Sequence, residues 1–192
     1  MGHGNVQMFK EKANLSRQPV ITRPVVLIGL MGAGKSTVGR RLAKALSVTF
    51  IDSDDEIKKA AGCSIEDIFE LYGEAEFRAG EKRVMDRLMD EGPMVLATGG
   101  GAFMDPGLRQ RLLHASTTVW LKADLDALVE RTSRRGGRPL LSTGDPRKTL
   151  QKLITERYPV YQQATIAIDT NGATHDRAVD MIVTALMNRS DI

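Results

Sequence analysis

The sequence predicts an α/β domain in three layers, with helices on both faces of a five-stranded parallel sheet. Two observations carry this. Five short apolar runs alternate with helical patterns along the 192 residues, the βα signature of a parallel sheet. The first run is followed by Gly29-Leu30-Met31-Gly32-Ala33-Gly34-Lys35-Ser36. That octapeptide fits G-x-x-x-x-G-K-S/T, the phosphate-binding P-loop between a strand and a helix.

Taken in order, the first strand is expected over 25–28 and the helix after the loop over 36–46. The second strand, 48–51, is short and leads to a helix over 57–61. Ile65, Ile68, Phe69 and Tyr72 stand at i, i+3, i+4 and i+7, an amphipathic stripe. A charged helix over 74–91 carries Phe77, Val84, Met85, Leu88 and Met89 on its apolar side. Strands are expected over 94–97, 118–121 and 165–168, with helices over 108–113, 125–131, 150–158 and 178–187. The strand runs are near-continuously apolar, as strands buried on both faces are. No repeat or linker divides the chain, so one domain over 23–192 is expected. Residues 1–22 mix charges with polar residues and read as a poorly ordered extension.

Composition narrows the function classes. Net charge is +3, from 27 basic and 24 acidic residues, which does not suit bulk nucleic-acid binding. The single cysteine, Cys63, rules out an internal disulfide and reads as a small, buried or partly buried side chain. His3, His114 and His175 show no zinc spacing. No stretch approaches the roughly 20 apolar residues of a membrane span, and no apolar signal segment stands near the start. The expectation is a cytoplasmic monomer with no membrane or nucleic-acid partner.

The glycines of the loop let backbone N–H groups turn toward phosphate oxygens. The helix start adds donors and the positive end of its dipole. Gly32, Ala33, Gly34, Lys35, Ser36 and Thr37 are therefore the expected ATP cradle. Lys35 reaches the outer phosphates, and the Ser36 hydroxyl can ligate a magnesium ion.

Asp52-Ser53-Asp54 ends the second strand. In an extended backbone both carboxylates project to one side, toward the cleft beyond the strand ends where ligands gather. The plainer alternative is that Asp54 or Asp55 caps the next helix. Gly99-Gly100-Gly101 follows the third strand and allows backbone to approach a ligand; otherwise it is a tight turn. Arg78 stands at helical spacing from Glu74 and Glu81, so simple ion pairing accounts for it as well as function does. The segment 134–147 holds Arg134, Arg135, Arg138 and Arg147 against Asp145, broken by glycines and prolines. It reads as a basic lid over a nucleotide, or as a solvated loop. Arg157, before Tyr158-Pro159, reads as a surface residue on its own.

These groups imply a nucleoside triphosphate, Mg²⁺ and phosphoryl transfer to a small hydroxylated acceptor. Asp52 would serve the metal directly or through water. Asp54 would hydrogen-bond the acceptor hydroxyl, as a base or as an orienting group.

The run Gly29–Thr37, Asp52-Ser53-Asp54, Phe77-Arg78, Thr98-Gly99-Gly100-Gly101, Arg138-Pro139-Leu140-Leu141 and Glu156-Arg157-Tyr158-Pro159-Val160-Tyr161 stand in the order and spacing of the shikimate kinases. The chain resembles that family over about 24–187. The resemblance implies a substrate-binding helical segment, a mobile lid, and transfer of the ATP γ-phosphoryl group to the 3-hydroxyl of shikimate. It implies that Asp54 binds shikimate hydroxyls and that Arg78 and Arg157 bind its carboxylate. Gly99, Gly100 and Gly101 would approach the ring, Arg138 the phosphates, and Arg131 the adenine. Kinases of gluconate or of a nucleoside monophosphate are the nearest rivals. A GTPase-type switch would carry Asn-Lys-x-Asp, which is absent from the sequence.

Overall fold

The computed structural model describes residues 19–133 and 145–189. The sheet has five parallel strands: β1 (Val25–Ile28), β2 (Thr49–Asp52), β3 (Met94–Ala97), β4 (Thr117–Lys122) and β5 (Ile166–Asp169), in the order β2–β3–β1–β4–β5. The helices are α1 (Lys35–Leu46), α2 (Ser53–Ala61), α3 (Ile65–Met89), α4 (Pro106–Ala115), α5 (Leu125–Ser133), α6 (Pro146–Tyr161) and α7 (His175–Met187). A short 3₁₀ turn, Ala102–Met104, follows the triple glycine. The expected α/β architecture is the one observed.

β1, β3 and the first five residues of β4 are buried throughout. The two edge strands are not: β5 alternates buried and exposed, and β2 is half-exposed. Burial on both faces therefore belongs to the three inner strands, which carry layers on either side. Helix starts run earlier than apolar periodicity suggests because polar caps set them. Asp52, Ser64, Asp105, Asp145 and Thr174 each accept from an amide in the first turn of the helix they precede, satisfying donors that have no partner within the helix. One consequence corrects the basic segment: Asp145 is a cap, and Pro146 and Arg147 are already helical.

The amphipathic stripe from Ile65 to Tyr72 and the charged helix expected over 74–91 run together as α3, broken at Gly73, whose φ of 80° and ψ of 175° are non-helical. The break separates two environments. Beyond it Phe77, Val84, Met85 and Leu88 are buried; before it Phe69 is 39% and Tyr72 64% exposed. The amphipathic stripe is thus only partly core. Phe69 leans back across the break onto Phe77, ring centroids 4.6 Å apart. The extension expected over 1–22 falls almost wholly outside the described residues.

Candidate active site

The C-terminal ends of β1, β2 and β3 bring three sequence-distant segments to one edge of the sheet. The first is the loop between β1 and α1. Gly32 (φ 83°) and Gly34 (φ 92°) adopt left-handed backbone there, a conformation that side chains disfavour. Gly34 caps α1 with no side chain of its own, so the start of the helix is left to backbone donors. Lys35 folds back over the loop, its Nζ donating to the carbonyl oxygens of Gly29 at 2.8 Å and Leu30 at 3.1 Å. The ammonium group is thereby parked over the cradle that the amides line.

The second segment is the end of β2. Ser36 Oγ donates to Asp52 Oδ2 at 2.8 Å, while Asp52 Oδ1 accepts from the amide of Asp54. Asp52 is therefore both helix cap and partner of the loop serine. Asp54 lies inside the first turn of α2, not on an extended strand, so the pairing expected from strand geometry arises from a strand end and a helix start. Burial pushes the Asp54 carboxyl above the ordinary aspartate value, and the charge of Asp52 adds to this; Lys35 and Lys58 pull the other way.

The third segment is the triple glycine. Ser53 accepts from the amide of Gly99 at 3.1 Å. A Cβ at Gly99 would lie 3.0 Å from both Asp54 Oδ1 and Glu81 Oε1, so the two carboxylates flank it. A Cβ at Gly101 would lie 2.7 Å from Nη1 and Nη2 of Arg78, and one at Gly100 would lie 3.2 Å from Nη1 of Arg157. A side chain at either position would crowd its guanidinium group, so the two glycines let both arginines approach the main chain. Arg78 pairs with Glu81 at 2.7 Å and Glu74 at 3.4 Å, the ion pairing foreseen as the plainer alternative. Those contacts also hold it beside Gly101. Arg157 donates to the Gly100 carbonyl at 2.8 Å. It is part-buried and bonded to a loop 57 residues away, not the surface residue its local sequence suggests.

Arg131 on α5 reaches the segment after β5, donating to the Thr170 carbonyl at 3.0 Å and contacting its hydroxyl at 3.4 Å. Arg147 pairs with Asp126 on α5 at 2.7 Å. Arg138 lies outside the described residues.

Glu81 and Ser53 escaped the sequence reading as site residues. Glu81 had a signal: it occupies a position on the apolar face shared by Phe77, Val84, Met85 and Leu88, where a carboxylate is out of place. It is 2% exposed, and its Oε1 has no hydrogen-bond partner in the structure. Burial pushes its carboxyl upward against the pull of Arg78. Ser53 had no signal beyond lying between two aspartates.

Among the described residues no three His, Cys, Asp or Glu cluster as a metal cage. Ser36 and Asp52 offer one hydroxyl and one carboxylate beside the phosphate cradle. That sparse donor set suits a hard divalent ion that takes its other ligands from phosphates and water.

A family model described as shikimate kinase matches residues 31–187. The chain belongs to the shikimate kinase family. The shikimate kinase of Rhodopseudomonas palustris is 53% identical over 164 residues, 85% of this chain and 81% of that protein. That of Paramagnetospirillum magneticum is 49% identical over 172 residues, 90% of this chain and 88% of that protein. The solved shikimate kinase of Acinetobacter baumannii, in complex with shikimate, superposes with a TM-score of 0.81 at 39% identity, covering 93% of this chain and 98% of that one. Shikimate kinases are ATP-dependent P-loop transferases, and such kinases work with a divalent cation. No helix among the described residues is long and apolar enough to cross a membrane.

Proposed function

We propose that this chain transfers the γ-phosphoryl group of ATP to the 3-hydroxyl of shikimate, releasing shikimate 3-phosphate and ADP, a step toward chorismate and the aromatic amino acids. The observation that carries the reading is the convergence of Arg78, Arg157 and Asp54 on one glycine loop beside the phosphate cradle. Two guanidinium groups suit one carboxylate, and a half-buried carboxylate suits a hydroxyl.

In this reading the amides of Gly32 to Thr37 hold the phosphates, and Arg131 flanks the adenine. Lys35 leaves the carbonyls of Gly29 and Leu30 for the outer phosphate oxygens. Ser36 and Asp52 hold Mg²⁺, which offsets phosphate charge when bound. Arg78 and Arg157 fix the shikimate carboxylate, and the backbone of Gly99 to Gly101 lies along the ring. Asp54 accepts a hydrogen bond from the 3-hydroxyl and can take its proton. The new bond joins that oxygen to the γ-phosphorus; the bond to the β-phosphate oxygen breaks, and ADP leaves with its electron pair. Arg138, outside the described residues, would bring its charge to the phosphates from the basic segment ahead of the Asp145 cap. The catalytic unit is a monomer spanning 23–192.

ADP release measured with shikimate, gluconate and AMP tests the acceptor. Turnover with shikimate alone is expected. Turnover with gluconate or AMP and none with shikimate overturns the reading.

A further inference from the structure

Tyr161 has no part in the contacts assigned so far, yet it is fully buried and its phenol reaches the glycine loop. Arg157 and Tyr161 stand at i and i+4 on α6, on one face of the helix. Both donate to a single atom, the carbonyl oxygen of Gly100. A carbonyl oxygen has two lone pairs, so the two donors saturate it. In a planar trans peptide the carbonyl and the following N–H point opposite ways. Fixing the Gly100 oxygen therefore fixes the whole Gly100–Gly101 peptide. Three successive glycines have no side chains to restrict their rotation, so this tether does what side chains cannot.

The Tyr161 ring is itself held. Its centroid lies 6.1 Å from that of Trp120 and 6.4 Å from that of Phe103, both edge-on. Tyr158 packs on the same cluster, 6.2 Å away. The hydroxyl is thus a fixed post rather than a swinging group. Burial raises its pKa, with Arg157 acting against this, so it remains a donor at neutral pH.

We infer that Tyr161 is a positioning residue for the acceptor: it carries the Gly100 carbonyl so that Arg157 can turn its other N–H groups to the substrate carboxylate. This rests on the acceptor site proposed above. A guanidinium has five N–H donors, and Arg157 commits Nη1 to Gly100. Without the phenol, the Gly100 carbonyl is held by the same side chain that must grip the acceptor. Tethering and binding then compete.

Two conservative variants separate this from a merely structural role. Tyr161→Phe and Tyr158→Phe each remove one phenol hydroxyl from a backbone carbonyl, Gly100 in the first and Ala123 in the second. Steady-state kinetics and thermal unfolding are measured for both and for wild type. Tyr161→Phe is expected to raise KM for shikimate about five- to tenfold, the size of one hydrogen bond, with KM for ATP changed by less than about twofold. Tyr158→Phe is expected to leave KM for shikimate unchanged at a similar loss of thermal stability. An unchanged shikimate KM in Tyr161→Phe, parallel rises in both KM values, or a Tyr161→Phe chain that does not fold overturns the inference while leaving the proposed reaction standing. Wild-type protein that does not turn over shikimate overturns both.

Discussion

Ser36 Oγ donates to Asp52 Oδ2 at 2.8 Å, joining the loop after β1 to the end of β2, although β3 lies between the two strands. The contact places the only hydroxyl and carboxylate assigned to the metal within one hydrogen bond of each other. Asp52→Asn is expected to raise the Mg²⁺ concentration needed for half-maximal activity by about ten- to a hundredfold, the usual effect of losing a carboxylate that serves a metal. At saturating Mg²⁺, KM for shikimate should be unchanged. Metal titrations of initial rate check this.

Lys35 rests on two carbonyl oxygens of its own loop, from which it can swing to the phosphates. Lys35→Ala is expected to lower kcat/KM by at least about a hundredfold, the scale of one preorganised charge on a developing anion. Lys35→Arg should not restore it, because the planar guanidinium does not fit where a compact ammonium sits.

Asp54 gives a pH dependence whose sign follows from its surroundings. Burial first, and Asp52 second, raise its carboxyl above the ordinary value of 3.8. The rate should fall as pH drops through that raised value, so the acid limb of the kcat/KM profile for shikimate lies above the ordinary aspartate range. Stability moves the opposite way. The folded chain holds this proton more tightly than the unfolded one, so the Asp54 contribution is complete below the unfolded value and is lost as pH rises through the folded one. Asp54→Asn is therefore expected to unfold at a higher temperature than wild type at neutral pH, with the difference vanishing in acid, while activity drops by at least about a hundredfold. Paired thermal scans and rate profiles across pH test both signs.

Gly101 and Gly80 make a contrasting pair. A methyl at Gly101 would meet the Arg78 guanidinium at 2.7 Å, whereas one at Gly80 has nothing nearer than 3.8 Å. Gly101→Ala is expected to displace Arg78 and raise KM for shikimate about tenfold or more, by disturbing a charge-assisted contact. Gly80→Ala, inside α3, should leave KM unchanged and stabilise the protein by about 0.5–1 kcal/mol. Kinetics and denaturant unfolding of the two variants check this.

The strand, loop and helix start around Gly29–Ser36 are legible in the sequence because their signal is local: one octapeptide marks all three together. The strands were legible because each apolar run is short and bounded, and the runs over Val25–Ile28 and Met94–Ala97 match the observed elements. Tertiary contacts were less visible. Local spacing made Arg157 a surface residue, because its partner Gly100 belongs to a different βα unit. The pairing of Asp52 and Asp54 was expected from an extended strand, but the chain turns helical at Ser53. Glu81 looked like one more charge on a charged helix, although its neighbours in the apolar stripe marked it as buried. Resemblance to a family groups Arg78, Arg157 and Gly100; the structure shows them meeting at one glycine loop, where Ser53 and Tyr161 also bond, which the motifs alone do not distinguish.

A crystal structure with an ATP analogue, Mg²⁺ and shikimate tests the central claim most directly. The account predicts triphosphate on the amides of 32–37, the shikimate carboxylate between Arg78 and Arg157, and its 3-hydroxyl on Asp54 facing the γ-phosphate. Shikimate bound away from the two arginines, or with a different hydroxyl toward the γ-phosphate, would contradict it.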